Sequence, residues 1–237
     1  RVQYRKEVQA IFQDPYDVYN PFYRVSHIMN MVIRHFNLSN NKSAAADIIE
    51  DALQVVGLRS GEILEKYPHQ LSGGQRQRVM IAMALACNPA LLIADEPTTS
   101  LDVTIQAQIL DLIMELQEEF GMAVMFITHN LGVIAEIADE IVVMYMGKQV
   151  EKAPVVDIFY HPKHPYTKAL LQSIPKVGKR SSSRLASISG MVPSPFELPS
   201  GCVFHPPGHI SLIYNGSVGY TKFLIVIVIG GDIHGFS

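Results

Sequence analysis

Ala90-Leu91-Leu92-Ile93-Ala94 is a continuous apolar run shut off by Asp95-Glu96-Pro97. A short run without alternation suits a strand buried on both faces of a parallel sheet. Parallel neighbours cannot be joined by a tight turn and need a crossover, usually a helix. The chain offers helices on both sides of this run. Gln75–Cys87 predicts one, ended by Asn88-Pro89. Val103–Phe120 predicts another, with Ile109, Leu112, Ile113, Leu116 and Phe120 in one stripe and Gly121 as its stop. Met122–Thr128 then reads as a strand and Leu131–Ala138 as a helix. Upstream, Glu7–Phe12 predicts a strand, and Ser43–Val56 predicts a helix capped by Ser43 and stopped by Gly57. Ile141–Met146 and Gln149–Lys152 flank Gly147-Lys148 as a hairpin. This order predicts a layered α/β domain with a largely parallel sheet.

Composition removes several function classes. Nineteen Lys and Arg face 22 Asp and Glu for a net charge of -3, so nothing global draws the chain to nucleic acid or anionic lipid. With 48% hydrophobic and 17% charged residues it is not a disordered chain. Cys87 and Cys202 are too few for a disulfide framework or a four-thiolate metal site, which makes the cytosol the expected compartment. The longest apolar runs, Val79–Cys87 and Phe223–Ile229, fall well short of the roughly 18 residues of a spanning helix. After about residue 153, His161-Pro162-Lys163-His164-Pro165, Lys179–Arg184 and Pro193–Pro195 read as loops and linker, with one short helix at Tyr166–Ile174. The charge-free run Phe223–Ile229 reads as an edge strand or an aggregation-prone segment.

In open α/β sheets, chemistry collects at the carboxyl ends of strands. Gln13, Asp95, Glu96 and His129 all stand there. Ser72-Gly73-Gly74-Gln75 opens onto a helix whose first amides are unpaired, which suits either a phosphate or an ordinary serine cap. Asp95 is placed to hold Mg²⁺, and Glu96 beside it to polarise a water; both can equally cap the next element. His129 can donate to a phosphate oxygen or be structural, and Gln13 can orient a water, reach a metal or do neither.

In this order and spacing the chain resembles the nucleotide-binding domain of ATP-binding cassette (ABC) transporters. The resemblance rests on Phe12–Pro15 (glutamine loop), Leu71–Gln75 (signature), Leu91–Glu96 (Walker B), Ser100-Leu101-Asp102 (aspartate loop) and Ile127-Thr128-His129 (switch histidine). It implies a P-loop NTPase-type layered sheet over about residues 1–153, with a helical subdomain at about 25–75 facing the membrane partner. Two cassettes would sandwich two ATP molecules. Ser72, Gly73, Gly74 and Gln75 would meet the γ-phosphate held by the opposite subunit, and Asp102 would contact that subunit. Asp95 and Gln13 would support Mg²⁺, Glu96 would activate water, His129 would touch the γ-phosphate, and Gln13 would link the site to the membrane subunits.

Gln13-Asp14-Pro15-Tyr16 with Asn20-Pro21, His161–Leu171 and Pro199–Pro206 are similar to the oligopeptide/dipeptide importer branch. This implies an importer-type C-terminal region at 154–209, followed by an atypical tail at 210–237. In that branch further cysteines often hold an iron–sulfur cluster; none follows Cys202, so no cluster is expected. The implied partners are a second ABC ATPase subunit, permease subunits and, indirectly, a solute-binding protein, with no nucleic acid. The implied location is cytoplasmic, on the inner face of the membrane. Importers of nickel, oligosaccharide or another solute share these motifs, as do non-transport ABC proteins. The pattern G-x-x-x-x-G-K-[ST] is absent, and Gly178-Lys179 is followed by Arg180. The expectation is therefore a chain truncated ahead of the glutamine loop, lacking the family's N-terminal strands and Walker A loop, which alone binds Mg·ATP poorly and does not hydrolyse it.

Overall fold

The computed structural model describes residues 2–15, 19–99, 101–173 and 224–229, the last for backbone alone. Ser100, Tyr16, Cys202 and residues 174–223 lie outside them, together with the expectations attached to those positions. The chain divides into two compact units, one within residues 1–126 and one within 127–228.

In the first unit, helix α1 (Val2–Glu7) leads into strand β1 (Val8–Ile11), which pairs in parallel with β2 (Leu91–Asp95). Between these strands come α2 (Val25–His35), α3 (Lys42–Val55), the short α4 (Ser60–Ile63), a 3-10 turn at Pro68–Gln70, and α5 (Gly73–Leu85). Helix α6 (Val103–Phe120) follows β2, and β3 (Ala123–Thr128) lies next to β2.

The expected helix at residue 43 begins one residue earlier, because Asn41 is the cap: its side-chain oxygen accepts from the Ser43 amide. Ser43 is therefore inside the first turn. Gly57, at φ +71°, takes the left-handed turn after α3 that a side chain would resist. The bounds of α6 match the apolar stripe, and Ile109, Leu112, Ile113 and Leu116 are buried, while Phe120 is exposed at the end.

Helix α5 explains the long apolar run of the sequence. Val79, Met80, Ile81, Ala82, Ala84 and Leu85 are all buried, so the second half of the helix is apolar on every side. Such a helix belongs in a core, and α5 packs against β1, α3 and α6. Two arginines fasten it. Arg78 donates to the Val56 carbonyl at 2.7 Å, and the buried Arg76 donates to the Pro68 carbonyl at 3.1 Å. The Val56 carbonyl ends the turn after α3, and the Pro68 carbonyl, which also accepts from the Leu71 amide at 3.2 Å, gains a second donor. Among the described residues no helix is long and apolar enough to cross a membrane.

In the second unit, α7 (Leu131–Ile137) precedes an antiparallel hairpin of β4 (Glu140–Tyr145) and β5 (Lys148–Pro154). The hairpin was expected; its turn is Met146-Gly147, both at positive φ, one position earlier than Gly147-Lys148. Helices α8 (Val155–Tyr160) and α9 (Pro165–Gln172) follow. The stretch that composition marked as loop from residue 153 thus contains a helix before His161. A last strand, β6 (Leu224–Ile229), pairs antiparallel with β4.

Glu151 pins the start of α9. Its carboxylate accepts from the Lys163 amide at 2.7 Å and the His164 amide at 3.1 Å. Burial alone would raise this carboxyl's pKa; the Thr167 hydroxyl, the two amides and His164 outweigh it and hold the pKa below the ordinary value. A folded pKa below the unfolded one gives stability that is present above about pH 4.5 and is lost as pH falls through the folded value. Glu151→Gln is expected to cost about 1 kcal/mol at pH 7, with the two thermal midpoints converging on acidification below pH 4.5. A gap that stays constant with pH refutes this.

Candidate phosphate and cation site

Parallel pairing sets the heart of the site. Ile11 stands opposite Ala94, so Gln13 and Glu96, each two residues further on, leave the carboxyl ends of neighbouring strands side by side. Gln13 Nε2 donates to Glu96 Oε2 at 2.7 Å. The Thr99 hydroxyl donates to the same oxygen at 3.0 Å, and the Thr99 amide closes a turn onto the Glu96 carbonyl at 3.3 Å. Glu96 is only 4% exposed and has φ +45°, a left-handed conformation uncommon for a residue with a Cβ. Backbone held this way clusters at functional sites, where surrounding bonds over-determine it. Asp95, the last residue of β2, is half-buried beside it.

Asp95, Glu96 and Gln13 carry oxygen donors of the kind a hard divalent cation takes, and Gln13 and Glu96 are in contact. No cluster of three or more His, Cys, Asp or Glu with metal-holding geometry occurs among the described residues.

The serine–glycine corner is built as a helix start. Ser72 is the N-cap of α5; its hydroxyl accepts from the Gln75 amide at 3.2 Å, and Gln75 Oε1 accepts from the Ser72 amide at 3.1 Å. This is a capping box, with Gly73 and Gly74 as the first helical residues rather than a loop ahead of a helix at Gln75. Asp102 likewise caps α6, accepting from the Ile105 amide at 3.0 Å.

The two caps touch. A Cβ added at Gly74 would lie 2.8 Å from Ile105 Cγ2, and one at Gly73 would lie 3.2 Å from Leu101 Cδ2. Glycine is required at position 74 because α6 approaches α5 there. Gly74→Ala is expected to lower unfolding free energy by about 1–2 kcal/mol, read by urea denaturation. Adding Ile105→Ala should recover most of it; a double variant as unstable as the sum of both changes refutes the contact.

His129 belongs to the other unit. It is an exposed residue just past β3, followed by Asn130, which caps α7 and whose amide donates to Thr128 Oγ1 at 3.1 Å. The structure brings together Gln13 with Glu96, and the Ser72 corner with the Asp102 turn. Sequence reading missed Thr99 and Ile105. The i, i+3 spacing of Glu96 and Thr99 across a Pro-Thr turn was a usable signal for the first; nothing local announced the second.

Residues 1–99 match the family described as ABC transporter, and residues 150–207 match the oligopeptide/dipeptide transporter C-terminal region. The oligopeptide transport ATP-binding protein AppD of Bacillus subtilis is 50% identical over 84% of this chain and 61% of its own length. The dipeptide transport ATP-binding protein DppD of Escherichia coli is 50% identical over the same shares. The chain thus spans less than two thirds of these relatives. Among solved structures, cbiO1 of Clostridium perfringens, part of the ABC transporter complex cbiONQ, aligns with TM-score 0.58 at 27% identity, over 66% of this chain and 61% of that one. A dimeric ATP-binding cassette in a post-hydrolysis state with ADP and Pi aligns with TM-score 0.53 at 27% identity, over 64% of each chain. The fold is that of an ABC ATPase domain, of P-loop NTPase type. Both halves of the resemblance hold: the chain belongs to the ABC transporter family and carries the C-terminal region of its oligopeptide/dipeptide branch.

Proposed function

We propose that this protein is the ATP-binding subunit of an importer for di- or oligopeptides, coupling Mg·ATP hydrolysis to transport. It pairs with a second cassette subunit and docks on permease subunits at the cytoplasmic face of the membrane, receiving substrate through a solute-binding protein. The observation that carries this reading is the Gln13–Glu96 pair, fixed by strand register at the carboxyl ends of β1 and β2. A carboxylate held there by two donors through one oxygen is aimed as a general base for water. Asp95 would hold the cation, which when bound offsets phosphate charge and aligns the oxygens. Gln13 both positions Glu96 and senses the cation. His129 would contact the γ-phosphate. The α5 N-terminus, with Ser72, Gly73, Gly74 and Gln75, suits a phosphate presented by another subunit, and Asp102 lies beside it to meet that subunit. The peptide class rests on the C-terminal match and the named relatives.

The sequence contains no phosphate-cradling G-x-x-x-x-G-K-[ST] pattern, the element that neutralises the β- and γ-phosphates in P-loop enzymes. The 237-residue chain alone is therefore expected to show no ATP turnover above background. Mixed with an intact cassette subunit of the same importer class, it should raise turnover per partner nucleotide at least tenfold. Steady phosphate release measured for each chain alone and for the mixture decides this: no stimulation removes the proposed pairing.

A further inference from the structure

Gln77 is a buried residue of α5 that takes no part in the capping box. It is 1% exposed, and its Nε2 has no hydrogen-bond partner among the described residues. A buried donor without an acceptor weakens a fold, and native structures keep few of them. Local rules of this kind are broken mainly at functional sites.

The place of Gln77 in α5 says which function it serves. At about 100° per residue along a helix, Gln77 projects between the directions of Gly73 and Gly74, one turn further on. Helical side chains lean back toward the N-terminus, so this carboxamide leans toward the corner that the two glycines leave open. A Cβ at Gly73 would meet Leu101 Cδ2, and one at Gly74 would meet Ile105 Cγ2. Gln77 therefore underlies the seam between the start of α5 and the turn into α6. That turn holds an acceptor outside the helical ladder. The Ile105 amide donates to the Asp102 side chain at 3.0 Å and the Gln106 amide to the Asp102 carbonyl at 2.8 Å, so α6 gives no amide to the Leu101 carbonyl. A donor and an acceptor stand on the two sides of one seam without being bonded to each other.

We propose that Gln77 is a positioning residue for the phosphate corner: its side-chain amide donates to the Leu101 carbonyl when a second cassette subunit closes on the Ser72 and Asp102 caps. The inference rests on the pairing proposed above and adds a residue to it. Gln75 acts differently, because its side chain already accepts from the Ser72 amide in the free chain. The Gln77 bond is made only on closure, so it contributes to pairing and not to the stability of the chain alone.

The test uses the full chain with Gln77→Met and with Gln77→Leu, both of which keep an apolar side chain of similar bulk and remove the donor. Urea unfolding of each chain alone is read beside phosphate release from mixtures with an intact cassette subunit of the same importer class. The two readouts are expected to part. The unfolding midpoint stays or rises, and the chain concentration that gives half-maximal stimulation rises about fivefold. A glutamine with a purely structural role lowers the midpoint and leaves that concentration unchanged. The variant that keeps its midpoint is the one read for stimulation. A lowered midpoint in both variants, or stimulation equal to that of the unaltered chain, overturns the inference alone. Failure of the unaltered chain to stimulate removes the pairing, and the inference with it. In a chain labelled at glutamine nitrogen, the Gln77 side-chain proton signals should move downfield when the partner and a non-hydrolysable ATP analogue are added; unmoved signals in a stimulating mixture overturn the proposed bond.

Discussion

Gly73→Asp in this chain is expected to abolish its stimulation of an intact cassette partner, lowering turnover of the mixture at least tenfold, to that of the partner alone, while the chain itself remains folded. The substitution separates two roles of one position. For folding, a carboxylate in the first turn of α5 faces the positive end of the helix and is mildly favourable. The added Cβ meets only Leu101 Cδ2, the far end of a flexible side chain. For a phosphate presented by another subunit, the same carboxylate is a like charge at the donor end of the helix. Losing one preorganised donor to a developing oxyanion typically lowers rate by about 10²–10³, and an opposed charge should do at least as much. Circular dichroism and thermal melting would show an unchanged fold, and phosphate release from the mixture would show the loss. Turnover within threefold of the unmodified mixture would remove the α5 corner from the proposed chemistry. Gly73→Ala, without the charge, should retain most of the stimulation.

Arg76→Ala is expected to destabilise the first unit by about 3 kcal/mol. Arg76 is only 4% exposed, and its guanidinium satisfies the Pro68 carbonyl. Truncation removes the charged one of that carbonyl's two donors, worth about 1.5–3 kcal/mol, and leaves it the Leu71 amide. It also opens a cavity where the aliphatic stem lay, which adds a cost of similar size. The neighbouring Tyr19 hydroxyl donates to the Arg76 carbonyl at 2.9 Å, and burial pushes its pKa far up. Tyr19→Phe removes one hydrogen bond without a cavity and should cost about 1 kcal/mol. The order matters more than either figure: if Tyr19→Phe proves as harmful as Arg76→Ala in urea unfolding, the buried guanidinium is not the fastener of α5.

The elements most legible in the sequence were those with a single dominant cause. The α6 stripe ends at a glycine that adopts φ +62°, and its bounds followed from those two facts. The apolar run before Asp95 became β2 because nothing else accommodates uninterrupted burial next to a parallel neighbour. Errors arose where two residues competed for one role. Asn41 and Ser43 are both good caps, and the winner was the one whose oxygen reaches an amide two residues on. The helix at Val155–Tyr160 was hidden by the His-Pro pairs that follow it, which dominate the local composition.

The site divided along the same line. Gln13 and Glu96 could be assigned to strand ends by pattern, but their contact depends on register, which no local signal states. The Thr99 bond and the Gly74–Ile105 contact are consequences of chain direction after β2. Two glycines beside a serine look like a flexible loop on paper; folded, they are the price of bringing a second helix close.

That close approach has a mechanical consequence. Ser72 and Asp102 begin two helices that abut at Gly74 and Ile105, so neither tip can be displaced without carrying the other. Whatever displaces one tip carries both; under the proposed pairing, meeting the neighbour's nucleotide and meeting the neighbour itself would be a single mechanical event.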